Sequence, residues 1–248
     1  MYKKAFARRL KDNKFLVHLW EDTGYTKVEW DNQAYVECSE SEAKYKGLNG
    51  ENLKKVKHYR SDNPNLHFHD MPPYQKFLIE KYGINDTPST THRELFFDIE
   101  CEMLDDMSEE GLKKANKKIT SIAWYDKQAD EWGIVVLDEK NHFGSNIKTK
   151  TNKKIIPCRD EGELLAKFLE IFRDIDPDII VGWNSDYFDI PYLYYRMCNV
   201  LGQDFARHLS PIGYVRETPW FKDQYIQICG VESLDYMRLH KKFSWADE

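Results

Sequence analysis

Short stretches of alternating apolar and polar residues dominate the first part of the chain. Phe15–Trp20 is apolar enough for a strand, Asp22–Gly24 is typical of a turn, and Tyr25–Trp30 alternates like a second strand. Tyr35–Cys38 is a candidate third strand. A helix is predicted over Met71–Gly83, because prolines stand near its start and a glycine stands at its end. This pattern predicts a strand-rich N-terminal region.

The run Asn85–Thr91 is polar and has no hydrophobic period. We predict a domain boundary there, between a first domain of residues 1–92 and a second of residues 93–248. After it, strands are predicted over Glu94–Glu100, Lys118–Asp126 and Glu131–Asp138. The short polar connection between the last two predicts a hairpin.

A capped helix follows these strands. Asp160 is predicted as its N-cap, with Glu163 three residues later as in a capping box. The apolar residues that recur there at helical spacing are Leu164, Leu165, Phe168, Leu169 and Phe172.

The remaining pattern places another helix between short strands. Asp178–Trp183 is predicted as a buried strand, Asp189–Gly202 as a helix, and Tyr225–Ile228 and Val231–Leu234 as further strands. The order of strands and helices predicts a mixed α/β fold, with a mixed sheet flanked by helices.

Composition narrows the class of protein. The 248 residues are 41% hydrophobic and 31% charged, which is typical of a soluble globular protein. No apolar stretch approaches the roughly 20 residues that a membrane helix needs. The five cysteines are scattered without a C-x-x-C pair, so we expect reduced thiols in a cytosolic protein. The net charge is −6, and the acidic excess lies after residue 92, where 29 Asp and Glu face 21 Lys and Arg.

Two acidic residues stand two positions apart on the strand Glu94–Glu100. Side chains at this spacing point to the same face, so Asp98 and Glu100 are expected side by side, while Ile99 points into the core. Two adjacent carboxylates repel each other unless a cation lies between them, and hard divalent cations prefer oxygen ligands. The alternative is two solvated acids at the surface, which is the common situation for charged residues.

A second polar cluster stands where a buried strand meets a helix. This junction, Asn184–Asp189, contains Phe188 beside Asp189. Either Asp189 or Asp186 is expected to cap the helix, and an aromatic residue in such a place usually belongs to the core. Each cluster alone is therefore ambiguous.

Together the two clusters resemble the family B DNA polymerases of large tailed phages, of the T-even type. Asp98-Ile99-Glu100 looks like their first exonuclease motif, D-x-E, and Asn184–Asp189 looks like the second, N-x-x-x-F-D. The two motif aspartates are 91 residues apart. The stretches Leu209–Tyr214 and Gly230–Phe243 resemble those that follow the second motif, and Cys38–Gly50 resembles part of the family's N-terminal domain.

The resemblance implies a ribonuclease H-like 3′–5′ exonuclease in residues 93–248 and a smaller N-terminal domain in residues 1–92. It implies that Asp98, Glu100 and Asp189 are catalytic and hold two Mg²⁺ or Mn²⁺ ions. It also implies that Phe188 packs against unpaired terminal bases, and that Asn184 either hydrogen-bonds near the scissile nucleotide or fixes the loop. The implied partners are a single-stranded 3′ end or primer–template DNA and the remaining polymerase portion, in the cytoplasm of an infected bacterium.

One family feature is not found at its expected place. The third motif, Y-x-x-x-D, lies well downstream in the family, and only 59 residues follow Asp189. Asp235 is interpreted as structural and Asp247 as a tail residue. We therefore expect an exonuclease domain that is incomplete at its C-terminus, without a polymerase domain, and weak or inactive alone. A fragment, a split-gene product, and a non-catalytic DNA-binding or assembly module remain as alternatives.

Two basic stretches are candidates for phosphate contacts. One spans Ile147–Arg159, and the other contains Lys113, Lys114, Lys117 and Lys118. A basic stretch attracts a nucleic-acid backbone, but a solvated loop is the more frequent explanation, and we prefer it here.

Overall fold

The computed structural model describes residues 1–59, 62–85, 87–143, 153–218 and 226–244. The chain divides into two compact units, Met1–Thr90 and Thr91–Glu248. Within the described ranges no helix is long and apolar enough to cross a membrane.

Two antiparallel sheets and one helix form the first unit. Among the described residues of this unit, the strands are β1 (Tyr2–Arg9), β2 (Lys14–Glu21), β3 (Gly24–Asp31), β4 (Ala34–Glu37), β5 (Tyr45–Lys46), β6 (Asn52–Val56) and β7 (Leu66–His67). One sheet has the order β1-β2-β3, and the other has the order β5-β6-β4-β7. The helix α1 (Pro73–Tyr82) follows, and its C-cap residue Gly83 has a φ of 61°. The strand-rich character predicted for this region is confirmed, as are the three predicted strands and the helix.

Strand β1 was not predicted from the sequence. Its inward-facing positions include Lys4, which is only 4% exposed, next to the apolar Phe6. The ammonium group of Lys4 lies 5.1 Å from the centre of the Trp20 ring on β2. A long lysine stem packs like an apolar side chain while the cation meets an aromatic face, so the hydrophobic pattern hides this strand.

The second unit is built on a mixed sheet of six strands in the order β11-β10-β9-β8-β12-β15. Its strands, with a small separate hairpin of β13 and β14, are β8 (Glu94–Cys101), β9 (Ile119–Asp126), β10 (Glu131–Leu137), β11 (Lys153–Cys158), β12 (Ile179–Gly182), β13 (Val215–Glu217), β14 (Ile226–Ile228) and β15 (Glu232–Asp235). β8, β9 and β10 are antiparallel neighbours, whereas β12 runs parallel to both β8 and β15. The predicted mixed α/β fold and the predicted hairpin are confirmed.

The helices of this unit, with a 3-10 turn over Arg207–Leu209, are α2 (Glu109–Lys114), α3 (Glu161–Ile175), α4 (Asp189–Leu201), α5 (Gln203–Ala206) and α6 (Tyr236–Phe243). Asp160 caps α3 by accepting a hydrogen bond from the Glu163 amide at 2.8 Å, as predicted. The Glu163 carboxylate, however, accepts from the amide of Arg159 at 2.8 Å, so the capping box closes one residue earlier than expected.

The basic stretches differ from the solvated loops that we predicted. Lys153–Cys158 is strand β11, paired in parallel with β10, and Lys154 forms an ion pair with Glu131 at 2.6 Å. Lys148 and Lys150 lie outside the described residues. The four lysines of the other stretch also form ion pairs with acidic side chains, which are Lys113–Glu109, Lys114–Glu110, Lys117–Asp105 and Lys118–Glu139. Their charges are thus locally compensated.

The core of the second unit lies between one face of the sheet and the helices α3 and α4. Leu95, Phe97 and Ile99 of β8 are at most 5% exposed and belong to it. The rings of Phe97 and Phe168 lie 5.8 Å apart. Burying each such side chain contributes about 1.5–3 kcal/mol, so the strand is held firmly in this orientation. Its alternate residues therefore face the opposite side of the sheet.

Candidate active site on the central strand

The central strand β8 presents two carboxylates on its outward face. Asp98 and Glu100 are exposed, whereas Ile99 between them is 5% exposed and packs in the core. Since successive side chains of a strand point to opposite faces, the burial of Ile99 forces the two carboxylates outward together.

Asp189, the first residue of α4, is joined to the same short segment of β8. Its Oδ1 atom accepts a hydrogen bond from the backbone amide of Ile99 at 3.1 Å, and the residue is only 3% exposed. The pairing of β12 with β8 ends at Phe96. Beyond that point the Asp189 carboxylate replaces a neighbouring strand as the acceptor for the Ile99 amide. This bond ties Asp189 to the segment of β8 that carries Asp98 and Glu100.

The surroundings of Asp189 disfavour its ionised form. Burial is the largest cause and raises its pKa to about 6, although the hydrogen bond from Ile99 acts in the opposite direction. The negative charge of Asp98 raises the pKa further, so the two carboxylates are close enough to repel each other. Glu100 and Asp189 both also raise the pKa of the Cys101 thiol, after burial. A cation among these groups would relieve the repulsion.

The sheet and the helix α4 are connected by residues 183–188. Asn184 has a φ of 60°, in the left-handed region, and its carbonyl accepts hydrogen bonds from Tyr187 and Phe188 at 3.2 and 3.1 Å. The half-buried ring of Phe188 stacks on Tyr192 at a centroid distance of 5.8 Å. Asn184 is also half-buried. The sharp turn at Asn184 brings the chain from the end of β12 into the start of α4.

The expectation that Asp189 or Asp186 caps α4 is wrong. Phe188 occupies the N-cap position, and no side chain caps this helix. The Asp189 carboxylate bonds to the neighbouring strand instead, and the Asp186 carboxylate accepts from Ser233 at 2.5 Å and from Arg238 at 3.0 Å. Both acids are used for long-range contacts because each is buried and needs a fixed donor.

A sequence model of the exonuclease domain of DNA polymerase family B matches residues 70–246, which is more than half of the chain. The chain belongs to this family. Residues 98–100 and 184–189, which carry the resemblance to the family's first two motifs, both fall within the matched range.

Individual polymerases agree with this assignment. The DNA-directed DNA polymerase of Escherichia phage RB69 is 34% identical over 126 residues, covering 48% of this chain and 14% of that protein. That of Enterobacteria phage T4 is 31% identical over 96 residues, covering 37% of this chain and 11% of that protein. An archaeal DNA polymerase, from Pyrococcus glycovorans, is 30% identical over 128 residues, covering 52% of this chain and 14% of that protein. The resemblance to the exonuclease portion of phage-type family B polymerases is thus confirmed.

An exonuclease domain of a family B polymerase implies the use of divalent metal in general. Among the described residues, no group of three or more His, Cys, Asp or Glu side chains is arranged to hold a metal ion. The negative charge of Asp98 raises the pKa of Asp189, and Glu100 lies two positions after Asp98 on the strand. The oxygen donors are of the type that hard cations prefer, so their chemistry fits a divalent metal.

Asp235 is interpreted as structural from the sequence, and its contacts agree, because its carboxylate accepts hydrogen bonds from the amides of Asn184 and Asp186, at 3.0 and 3.2 Å. The sequence does not reveal that these contacts reach the turn before α4. These amides are 51 and 49 residues away along the chain. The available signal was an acidic residue directly after a predicted strand, and that pattern alone also describes an ordinary helix cap.

Proposed function

We propose that this chain provides the proofreading exonuclease site of a phage-type DNA-directed DNA polymerase and hydrolyses 3′-terminal nucleotides of DNA. The hydrogen bond from Ile99 to Asp189 is the observation that supports the proposal, because it ties Asp189 to the segment of β8 that carries Asp98 and Glu100. In a domain of this exonuclease family, acidic residues on these two elements support hydrolysis of a phosphodiester.

Asp98, Glu100 and Asp189 are the catalytic residues of this proposal and would hold Mg²⁺ or Mn²⁺, two ions in the complete site. Bound metal supplies activation of the attacking water and stabilisation of the leaving oxygen. Asp98 and Glu100 offer exposed carboxylate oxygens, whereas Asp189 is buried and oriented by the Ile99 amide. The strand and the helix thus hold the acidic groups in place before any substrate arrives.

Two further side chains are proposed to bind DNA. Phe188 presents a half-buried ring directly before Asp189, and an aromatic ring stacks on any base because every base has a π-face. Asn184, at the turn that leads into α4, contacts the nucleotide next to the bond that is cleaved. The substrate is a single-stranded 3′ end or primer–template DNA.

The proposal includes parts that lie beyond this chain. The chain spans only 14% and 11% of the lengths of the two phage polymerases. We propose that residues 1–92 are the N-terminal domain and residues 93–248 the exonuclease domain of a larger assembly. Another polymerase portion, in the same or a separate polypeptide, would supply the third-motif ligand and the polymerase activity in the infected bacterial cytoplasm. The chain by itself is then weakly active or inactive.

Hydrolysis of a 3′-labelled and a 5′-labelled single-stranded DNA with Mn²⁺ tests the proposal. Wild type is compared with Asp98→Ala and with the matched control Asp204→Ala, whose carboxylate is exposed and forms an ion pair with Arg207. Shortening from the 3′ end that is lost in Asp98→Ala and kept in Asp204→Ala supports the proposal. Shortening that is equal in all three proteins, or that begins at the 5′ end, would overturn it.

A second candidate function is non-catalytic assembly with another polypeptide. An apolar groove of about 540 Å³ is lined by Asp98 and by the aromatic side chains of Trp132, Trp183 and Tyr236. These three aromatic residues are 50 to 57% exposed, and exposed apolar patches of this kind mark interaction surfaces. DNA that stays intact with Mn²⁺ even after the remaining polymerase portion is added to the chain would favour this candidate over hydrolysis.

A further inference from the structure

The turn between β12 and α4 decides where Asp189 lies. It begins at Gly182, where an added Cβ would lie 2.6 Å from the Cβ of Ser185, so the backbone folds back closely on itself. The next residue but one, Asn184, adopts the left-handed conformation with a φ of 60°. Asparagine adopts this conformation more readily than most residues other than glycine, and contacts with the surrounding chain fix it there.

The carboxylate of Asp235 makes those contacts. Asp235 ends β15 and stands opposite Gly182 in the parallel register of the two strands. Its Oδ1 accepts a hydrogen bond from the Asn184 amide at 3.0 Å, and its Oδ2 accepts one from the Asp186 amide at 3.2 Å. The residue is 3% exposed, so these bonds form away from water, and charged acceptors make the stronger hydrogen bonds.

The same turn is fastened a second time through Asp186. Its carboxylate, in a residue that is 1% exposed, accepts from Ser233 of β15 at 2.5 Å and from the Arg238 guanidinium of α6 at 3.0 Å. Further along, the Ile190 amide donates to the Ser185 carbonyl at 3.0 Å, which joins the turn to the first residues of α4. A continuous set of bonds therefore runs from β15 through the turn to Asp189.

We infer that Asp235 is a positioning residue that holds the turn of residues 183–188 so that Asp189 reaches the Ile99 amide on β8. The inference rests on the proposed function for its catalytic meaning. Asp235 fixes one end of the turn to β15, and Asp189 fixes the other end to β8. Loss of the first attachment leaves the turn held through the Asp186 bonds, so the direction of the Asp189 carboxylate is less restricted.

If Asp235 acted only as the cap of α6, a variant that keeps this cap would leave the turn of residues 183–188 unchanged. Asp235 also caps α6, because its Oδ1 accepts from the Met237 amide at 2.9 Å. Serine is as good a cap as aspartate, but its side chain is one atom shorter and cannot reach both amides of the turn. The variant Asp235→Ser therefore keeps the cap and removes the attachment of the turn.

Amide hydrogen exchange of the whole chain, read at single residues, distinguishes the two roles. In Asp235→Ser we expect exchange at Asn184, Asp186 and Ile99 to become about tenfold faster, while Met237 keeps its protection. In Asp235→Asn the remaining oxygen keeps Asn184 bonded, so Ile99 should recover most of its protection. Thermal unfolding and near-ultraviolet circular dichroism confirm that each variant is folded.

The matched control is Asp138→Ser. Asp138 is 5% exposed and accepts from the amides of His142 and Phe143, at 2.7 and 2.9 Å, in another connection of the chain. The Asp138→Ser variant should lose exchange protection at these two amides, while the exchange rate at Ile99 stays unchanged. Unchanged exchange at Ile99 in Asp235→Ser, or an equal increase in both serine variants, overturns the inference.

Hydrolysis of single-stranded DNA with Mn²⁺ is measured on the same samples and separates this inference from the proposed function. Faster exchange at Ile99 in a chain whose wild type leaves DNA intact supports the positioning role, and the intact DNA agrees with the weak or absent activity expected of the chain alone. Shortening that is equal in wild type and Asp98→Ala speaks against the proposed function and leaves the positioning role standing. In an active wild type, Asp235→Ser should lower kcat with little change in KM, because substrate binding remains while Asp189 is misplaced. If both kcat and the exchange rate at Ile99 are unchanged in Asp235→Ser, the inference is overturned and the proposed function still stands.

Discussion

The carboxylate of Asp189 and the backbone amide of Ile99 are joined by a hydrogen bond of 3.1 Å, although 90 residues separate them along the chain. This bond connects the start of α4 to the middle of β8 at the position between Asp98 and Glu100. It also buries a carboxylate beside another negative charge, which costs stability unless a cation is bound. We therefore expect the charged Asp189 carboxylate to lower the stability of the metal-free fold, and this cost can be measured.

Replacing Asp189 by asparagine should stabilise the metal-free protein at neutral pH. The folded-state pKa of Asp189 is about 6, above the ordinary 3.8, so the folded state holds this proton more tightly than the unfolded state does. Its contribution to stability is greatest below pH 4 and is lost as the pH rises through 6. Asparagine keeps an oxygen acceptor for Ile99 without the charge, and we expect a gain of about 2–3 kcal/mol at pH 7.5.

Urea unfolding at pH 4 and pH 7.5, with a chelator present, measures this effect. Asp204→Asn is the control, since that side chain is 99% exposed and should change little at either pH. A loss of stability in Asp189→Asn at pH 7.5 would show that the carboxylate is stabilised in the fold.

Arg196 and Glu161 form a buried ion pair that should contribute strongly to the second unit. The guanidinium donates to both carboxylate oxygens at 2.7 and 2.6 Å and to the Ala115 carbonyl at 2.8 Å. Glu161 also accepts from the Ile119 amide at 2.8 Å. Arg196→Met leaves this buried carboxylate without its cation, and we expect a loss of about 3–5 kcal/mol in the free energy of unfolding.

The exposed pair Arg207–Asp204 provides the matched control for that experiment. Its side chains are 46% and 99% exposed, compared with 14% and 7% for Arg196 and Glu161. Arg207→Met should therefore cost no more than about 1 kcal/mol in chemical denaturation. If Arg196→Met and Arg207→Met lost equal amounts of unfolding free energy, burial would not be the reason that the Arg196–Glu161 pair contributes more.

Gly133 on β10 should not tolerate a larger side chain. It stands opposite Trp124 of β9, and an added Cβ would lie 2.3 Å from the Cζ2 atom of that ring. Gly133→Ala should reduce the free energy of unfolding by about 1–3 kcal/mol, because the buried indole has to move. Combining it with Trp124→Phe removes the clash, so the double variant should lose less than the sum of the single variants. Additive losses would show that the indole is not the obstacle.

Mn²⁺ binding by the whole chain should be weak. Among the described residues the three site carboxylates do not form a group that encloses a metal, and the proposed function requires a further ligand. We expect dissociation constants well above about 1 µM in a titration followed by electron paramagnetic resonance. Binding at or below that value, lost in Asp98→Ala, would mean that this chain already contains a complete site.

Much of the second unit was predictable because its signals are local. The two-residue period of β8 placed Ile99 inside and the neighbouring acids outside, and the helical period after Asp160 located α3. Strands β1 and β11 were missed for a common reason, since each carries lysines where a hydrophobic pattern is expected. Lys4 satisfies its charge over an aromatic ring and Lys154 with Glu131, and neither partner is a sequence neighbour.

The sequence by itself determined the central strands and the two long helices of the second unit, the shared face of Asp98 and Glu100, and the resemblance to family B exonucleases. These follow from residue types and from spacings of two to four positions, which act within one strand or one helical turn. Tertiary structure alone decided the partners of the buried acids. Asp189 bonds to Ile99, and Asp235 bonds to Asn184 and Asp186, instead of Asp189 or Asp186 capping α4. A buried carboxylate takes whichever donors the packing of distant elements brings within reach, and no local pattern encodes that choice.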